Sequence, residues 1–157
     1  MSADQQPNHG PASLAGGASS AGQQMRAFRI EGVDLDPECR ELRVEGELDL
    51  ATADQLRAHL ADAAQEDLEV LVCLGRCDFI DSTGIAAILL ARNQMEGKGR
   101  RLVICEPSRA VRRVLSVAGL NQEGFVYANT EAALAERFGH TVSRPFRTKK
   151  SPQGLPR

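Results

Sequence analysis

The chain has 157 residues, 42% of them hydrophobic and 25% charged, and a formal net charge of -2. This is the size and composition of one ordinary globular domain with loose ends. The near-neutral charge excludes a general attraction to nucleic acid or an anionic membrane, and a single Tyr with no Trp argues against aromatic stacking as the means of gripping a partner.

Residues 1–24 hold Ser, Ala, Gly, Gln and Pro with few large apolar side chains, the pattern of a flexible arm. They contain no Lys or Arg and no apolar central block, which argues against a secretory signal, and no apolar run reaches the ~18 residues of a membrane span. A cytoplasmic location without membrane insertion is the expectation.

Alternation in Ala27-Phe28-Arg29-Ile30 predicts a first strand, and a second is expected over about Glu41 to Leu48, with Asp34-Leu35-Asp36-Pro37 as the turn between them. Thr52 with Gln55 three residues later makes a capping-box pattern for a helix whose buried stripe is Leu56, Leu60 and Ala63. His59 lies beside that stripe without an Asp or Cys companion and receives no role.

Leu68 to Leu74 is nearly unbroken apolar sequence and predicts a buried strand, followed by a Gly75-Arg76-Cys77-Asp78 connection. Phe79-Ile80-Asp81-Ser82-Thr83-Gly84-Ile85 then turns into a helix with Ile85, Ile88 and Leu89 at helical spacing, running to about Met95. Ser82 reads as its N-cap, where the free N–H groups and positive dipole end of the helix would hold a phosphate carried on the serine oxygen.

Gly97-Lys98-Gly99 follows a helix and precedes the strand Arg101 to Cys105, so it is a C-cap turn and not a phosphate loop. Pro107-Ser108 opens a helix with Val111, Val114, Leu115 and Ala118 inward and Arg109, Arg112 and Arg113 outward, closed by Gly119-Leu120. A short strand, Phe125 to Ala128, leads to a last helix capped by Thr130, whose Ala133, Leu134 and Phe138 are expected to dock on the body. Residues 141–157 carry Arg144, Arg147, Lys149, Lys150 and Arg157 with no acid, the mark of a flexible basic tail.

Cys39, Cys73, Cys77 and Cys105 are too sparse for a disulfide framework and lack the close pairs of zinc sites, so they are read as buried free thiols. No metal and no cofactor are expected. No histidine neighbours a plausible nucleophile, and no paired-acid motif or phosphate loop stands out, so the chain is not expected to be an enzyme and no residue is assigned as catalytic.

Two motifs in order, Gly46-Glu47-Leu48-Asp49 before one helix and Phe79-Ile80-Asp81-Ser82-Thr83-Gly84 before the next, resemble those of bacterial anti-sigma factor antagonists of the STAS family. Pro107 to Leu120 is similar to the family's later helix with its terminal Gly-Leu. The resemblance implies an α/β fold over a single STAS-like domain at roughly 25–140, with a mixed sheet of four to five strands, an edge strand at its start and about four helices packed mainly on one face.

It further implies that the chain binds an anti-sigma factor that is itself a serine kinase, thereby releasing a sigma factor, and is switched off by phosphorylation at Ser82. A serine phosphatase would act on the phosphorylated form, and no direct contact with nucleic acid is implied. Asp81 would orient the Ser82 hydroxyl or the partner's cations, Thr83 is a second acceptor, and Gly84 keeps the helix start free of side-chain bulk. Asp49, with Glu47 beside it, lies in the motif where the resemblance places partner contact. This chain has Cys73 where family members often carry Asp or Asn. The alternative is a non-switching STAS scaffold or accessory subunit of a sensory assembly or lipid transporter, a class that often has Thr in place of the serine.

Overall fold

The computed structural model describes residues 26–137, so the two tails and Phe138 lie outside the described residues. Arg29–Asp36 (β1) and Cys39–Leu48 (β2) form an antiparallel hairpin with Ile30 opposite Val44, and the Asp36 carboxylate accepts the Glu38 N–H at 2.7 Å to close its turn. Three crossovers then build parallel pairs, as parallel strands require. Helix α1 (Ala53–Gln65) leads to β3 (Glu69–Ile80), α2 (Ser82–Glu96) to β4 (Leu102–Cys105), and α3 (Arg109–Val117) to β5 (Val126–Tyr127), with α4 (Thr130–Arg137) following.

The sheet order is β1-β2-β3-β4-β5, antiparallel only at β1, so the five strands form the mixed sheet that the sequence implied. Side-chain alternation along β3 divides the apolar residues between two layers. Val70, Val72 and Leu74 face the larger core with Leu56 and Leu60 of α1, Ile88 and Met95 of α2, and Val111 and Leu115 of α3. Leu71 and Cys73 face the other side, where Ala133 and Leu134 of α4 cover them with Val103 and Tyr127. Each fully buried Leu contributes about 1.5–3 kcal/mol of transfer energy, which places most of the stabilisation in the first layer.

Several elements differ from the sequence reading. The first strand extends to Asp36, so the turn lies at 36–39 and not over the whole of Asp34 to Pro37. The strand expected to stop at Leu74 continues to Ile80, through the polar stretch read as a connection. Past Cys73 it has lost β4 as a neighbour and keeps only β2, with register shifts between Arg43 and Glu45 and between Gly46 and Glu47 that break the alternation. Ala118, expected inward, is exposed past the last buried position, Leu115, and the αL residue Gly119 then turns the chain so that the Leu120 N–H reaches the Leu115 carbonyl at 2.8 Å. The last helix is capped by Asn129, whose side chain accepts the Ala132 N–H at 2.8 Å; Thr130 is inside the helix and its hydroxyl donates to Glu41 at 3.3 Å.

All four cysteines are free and buried. Burial pushes the Cys77 thiol up from 9.0 to about 11, partly offset by its hydrogen bond to the Phe79 carbonyl at 3.2 Å. A thiol that stays protonated longer when folded adds stability below its unfolded pKa and loses that advantage as pH rises through the folded value. The Cys105 thiol and the Tyr127 hydroxyl are also raised, so stability measured by denaturant unfolding should fall from pH 8 to 11 in parent and variant alike, and by about 2 kcal/mol less in Cys77→Ala.

Candidate functional site

The site is set by where β3 stops. Ile80 is buried under the helices, so the chain must leave the sheet at Asp81, which is extended (φ -113, ψ -175) and serves as the helix N-cap. Its Oδ1 accepts the N–H groups of Thr83 at 2.8 Å and Gly84 at 3.0 Å, a cap worth about 1 kcal/mol. Ser82 is thus the first residue inside α2 and not its cap, a correction to the sequence reading. Asp, Ser and Thr all cap well and stand consecutively here, so residue preference alone does not choose between them; the buried Ile80 does.

This changes the electrostatics expected at Ser82. Two of the N–H groups that would have received a phosphate are already engaged by a carboxylate, and the exposed Ser82 side chain stands next to that carboxylate in the chain.

The start of α2 is pressed onto the end of β2. The Asp81 N–H donates to the Leu48 carbonyl at 3.2 Å, and a Cβ at Gly84 would lie 2.8 Å from both Leu48 Cγ and Leu48 O and 3.1 Å from Ile80 Cγ1. Only glycine fits there. Asp49 follows Leu48 directly, so the two sequence motifs meet at the strand ends. The Asp49 carboxylate accepts the N–H groups of Ala51 at 3.0 Å and Thr52 at 3.2 Å, holding the β2–α1 turn.

Thr52 does occupy the N-cap position of α1, but no capping box forms. Its hydroxyl is turned back to the strand end, donating to the Glu47 carbonyl at 2.8 Å and accepting the Asp49 N–H at 2.9 Å, and makes no cap bond to the helix. Glu47 stands opposite Phe79 in the β2–β3 register, one residue before Leu48, and alternation turns its side chain toward the opposite sheet face from the helices that bury Leu48. Asp49, Asp81, Ser82, Thr83 and Gly84 are brought together; Glu47 is at their margin.

The surroundings of Ser82 include apolar residues that the sequence reading passed over. Ser82, Ala86 and Leu90 form one exposed line along α2, and Leu90 is 55% and Leu50, beside Asp49, 76% exposed. The available signal was an excess of large apolar residues in Ile85 to Leu90, more than one buried face can absorb.

Neither the apolar crevice between α2 and α3 nor the open groove of about 520 Å³ on the other sheet face is lined by Asp49, Asp81 or Ser82. The groove is walled by charged residues of β1 and β2, including Arg29, Glu31, Glu41 and Arg43. Among the described residues no group of three or more His, Cys, Asp or Glu side chains is arranged to hold a metal ion, and no helix is long and apolar enough to cross a membrane. A hydroxyl on an open surface with exposed apolar neighbours suits contact with a protein better than capture of a small molecule.

Comparison with known proteins agrees with this fold. The family model described as Mlab, STAS domain, matches residues 31–127. The chain is 33% identical over 102 residues to BtrV of Bordetella bronchiseptica, a candidate anti-sigma factor antagonist, covering 64% of this chain and 87% of that one. The structure of the anti-sigma factor antagonist SpoIIAA in its unphosphorylated form superposes with a TM-score of 0.60 at 28% identity, covering 72% of this chain and 97% of SpoIIAA. The phosphorylated form of SpoIIAA, described as a Bacillus cell fate determinant, gives a TM-score of 0.55 at 27% identity over 71% and 99% of the two chains.

Proposed function

Because the chain belongs to the STAS domain family, as an anti-sigma factor antagonist of the SpoIIAA type, we propose that it works by partner switching controlled at Ser82. In the unmodified state the surface of Ser82, Ala86, Leu90 and Leu50, bordered by Asp49 and Asp81, docks on an anti-sigma factor that is a serine kinase, and the sigma factor is released. The kinase transfers the γ-phosphoryl group of ATP to Ser82 Oγ, leaving ADP and a proton, and the modified chain dissociates. A serine phosphatase restores it by hydrolysis. This chain performs no catalytic step, and the cycle runs in the cytoplasm.

The observation that carries the reading is the Asp81 cap. By taking the Thr83 and Gly84 N–H groups, it leaves Ser82 exposed with its hydroxyl free for transfer and puts a fixed negative charge next to any phosphate added there. That Bacillus SpoIIAA has been solved in phosphorylated and unphosphorylated forms supports the same cycle here.

Incubation with the serine-kinase anti-sigma factors of the source genome and ATP, followed by phosphopeptide mapping, tests it. Expected are one phosphate per chain, on Ser82, and release of the partner. Stable binding with no modification in the presence of ATP would point to a non-switching scaffold instead.

A further inference from the structure

Helix α3 places Arg109, Arg112 and Arg113 on its outer side, opposite the buried Val111 and Leu115. Charge on the rest of the domain is largely compensated: eight described arginines, from Arg26 to Arg100, lie within ion-pair distance of a carboxylate. Arg101 donates to the Tyr127 hydroxyl at 3.0 Å. Among the described residues the three α3 arginines have no carboxylate partner, and Arg112 reaches only the Pro107 carbonyl at 3.5 Å. The stretch 107–122 holds no acid at all. Val117, at 86% the most exposed large apolar side chain of the described residues, lies on the same outer side.

The fold puts this face next to the Ser82 surface. Helices α2 and α3 lie on one sheet face, where Ile85, Ile88 and Leu89 of α2 face Leu115 of α3, and Leu120 and Phe125 beyond it, across one apolar crevice. Each helix follows a strand of the parallel set, so both begin at the same end of the sheet. Ser108, the N-cap of α3, is tied to the extension of β3 that leads to Ser82: its N–H donates to the Leu74 carbonyl at 3.0 Å and its hydroxyl to the Cys77 carbonyl at 2.7 Å.

We propose that Arg109, Arg112 and Arg113, with Val117, form a second contact face that receives a carboxylate-rich surface of the same kinase that docks at Ser82. The inference rests on the partner-switching reading above and extends it. The surface is then divided by sign, with Asp49 and Asp81 on the β2 side of Ser82 and uncompensated guanidinium groups on the α3 side, so a complementary partner is held in one orientation. Arginine forks pair bidentately with carboxylates, and an apolar side chain exposed among them adds a desolvated contact typical of protein interfaces. The short helix, with one exposed valine and no exposed aromatic residue, offers too little apolar surface to enter a lipid headgroup layer.

The test compares the parent with R109E/R112E/R113E and with the milder R109Q/R112Q/R113Q, both checked for an unchanged melting temperature. The probe is the purified kinase that modifies Ser82, and association is measured at several salt concentrations. Expected is a loss of about tenfold in association rate for the Gln variant and about a hundredfold for the Glu variant at low salt, with the parent's salt dependence flattened in both. Ser82 phosphorylation should still release whatever variant binds.

Parent binding with both variants unchanged would overturn this inference and leave the Ser82 reading standing. Failure of every kinase to bind the parent would overturn both. Unchanged kinase binding, with the parent but not the variants bound to phosphatidylglycerol vesicles, would reassign the face to lipid and overturn the proposal.

Discussion

Phosphorylated parent should bind the kinase at least a hundredfold more weakly than unmodified parent, Ser82→Asp roughly tenfold or more weakly, and Ser82→Ala within about threefold of it, by equilibrium titration. The hundredfold figure corresponds to about 3 kcal/mol. Phosphate adds about -1.5 to -2 charge, and Asp adds -1 without the bulk, which sets the order of the two losses. At a free helix N-terminus part of this cost would be offset by backbone N–H groups and the dipole. Here Asp81 already occupies the Thr83 and Gly84 N–H groups, so the new charge competes with an existing one while Ala86, Leu90 and Leu50 require a dry contact around it. Ser82→Ala should also stay bound when ATP is added, having no oxygen to modify. Equal affinities for the three forms would remove charge as the switching agent.

Gly84→Val should destabilise the domain by about 3 kcal/mol and lower its melting temperature by roughly 10 °C, measured by calorimetry or circular dichroism. The new Cβ would meet the Leu48 carbonyl oxygen at 2.8 Å, and that oxygen cannot move away because it also accepts the Asp81 N–H. Relief requires lifting the start of α2 from β2, which breaks the bond from the Asp81 N–H to the Leu48 carbonyl and moves Ser82 away from Asp49. Binding should therefore fall further than stability alone explains. Gly97→Ala is the matched control: Gly97 has ordinary helical φ of -63 and its nearest obstacle is at 3.4 Å, so the change should be neutral or stabilising by less than about 1 kcal/mol. Similar losses for the two substitutions would mean that close packing at Gly84 is not the cause.

The sequence carried most of the architecture because each helix has a local marker: Ser108 with its bond to the Val111 N–H, Gly119 at φ +75, and the apolar spacing of α1 all act within a turn or two of chain. What it did not disclose depends on contacts far apart in sequence. Whether Asp81 or Ser82 caps α2 is decided by how deeply Ile80 is buried, and the fate of the Thr52 hydroxyl by the position of the β2 end. The β3 extension was hidden because a strand paired on one side only, with two register shifts, loses the apolar continuity by which buried strands are read. Leu90 and Val117 escaped notice for the opposite reason, since apolar residues in a helix are taken as inward until packing shows which side is covered.

The first described residues cross the domain next to the same strand ends. Arg26 pairs with Asp78 at 2.5 Å, and the backbone of Arg26 and Phe28 lies so close over Gly46, at φ +91, that a Cβ there would stand 2.8 Å from Phe28 Cα. Residues 26–28 therefore lie beside the strand ends that carry Asp49 and Asp81, whereas α4 lies over the far layer of the sheet. A dye fixed at exposed Ala27 thus stands close enough to the contact surface to report docking, while one on exposed Glu131 of α4, over the other layer, serves as the insensitive reference.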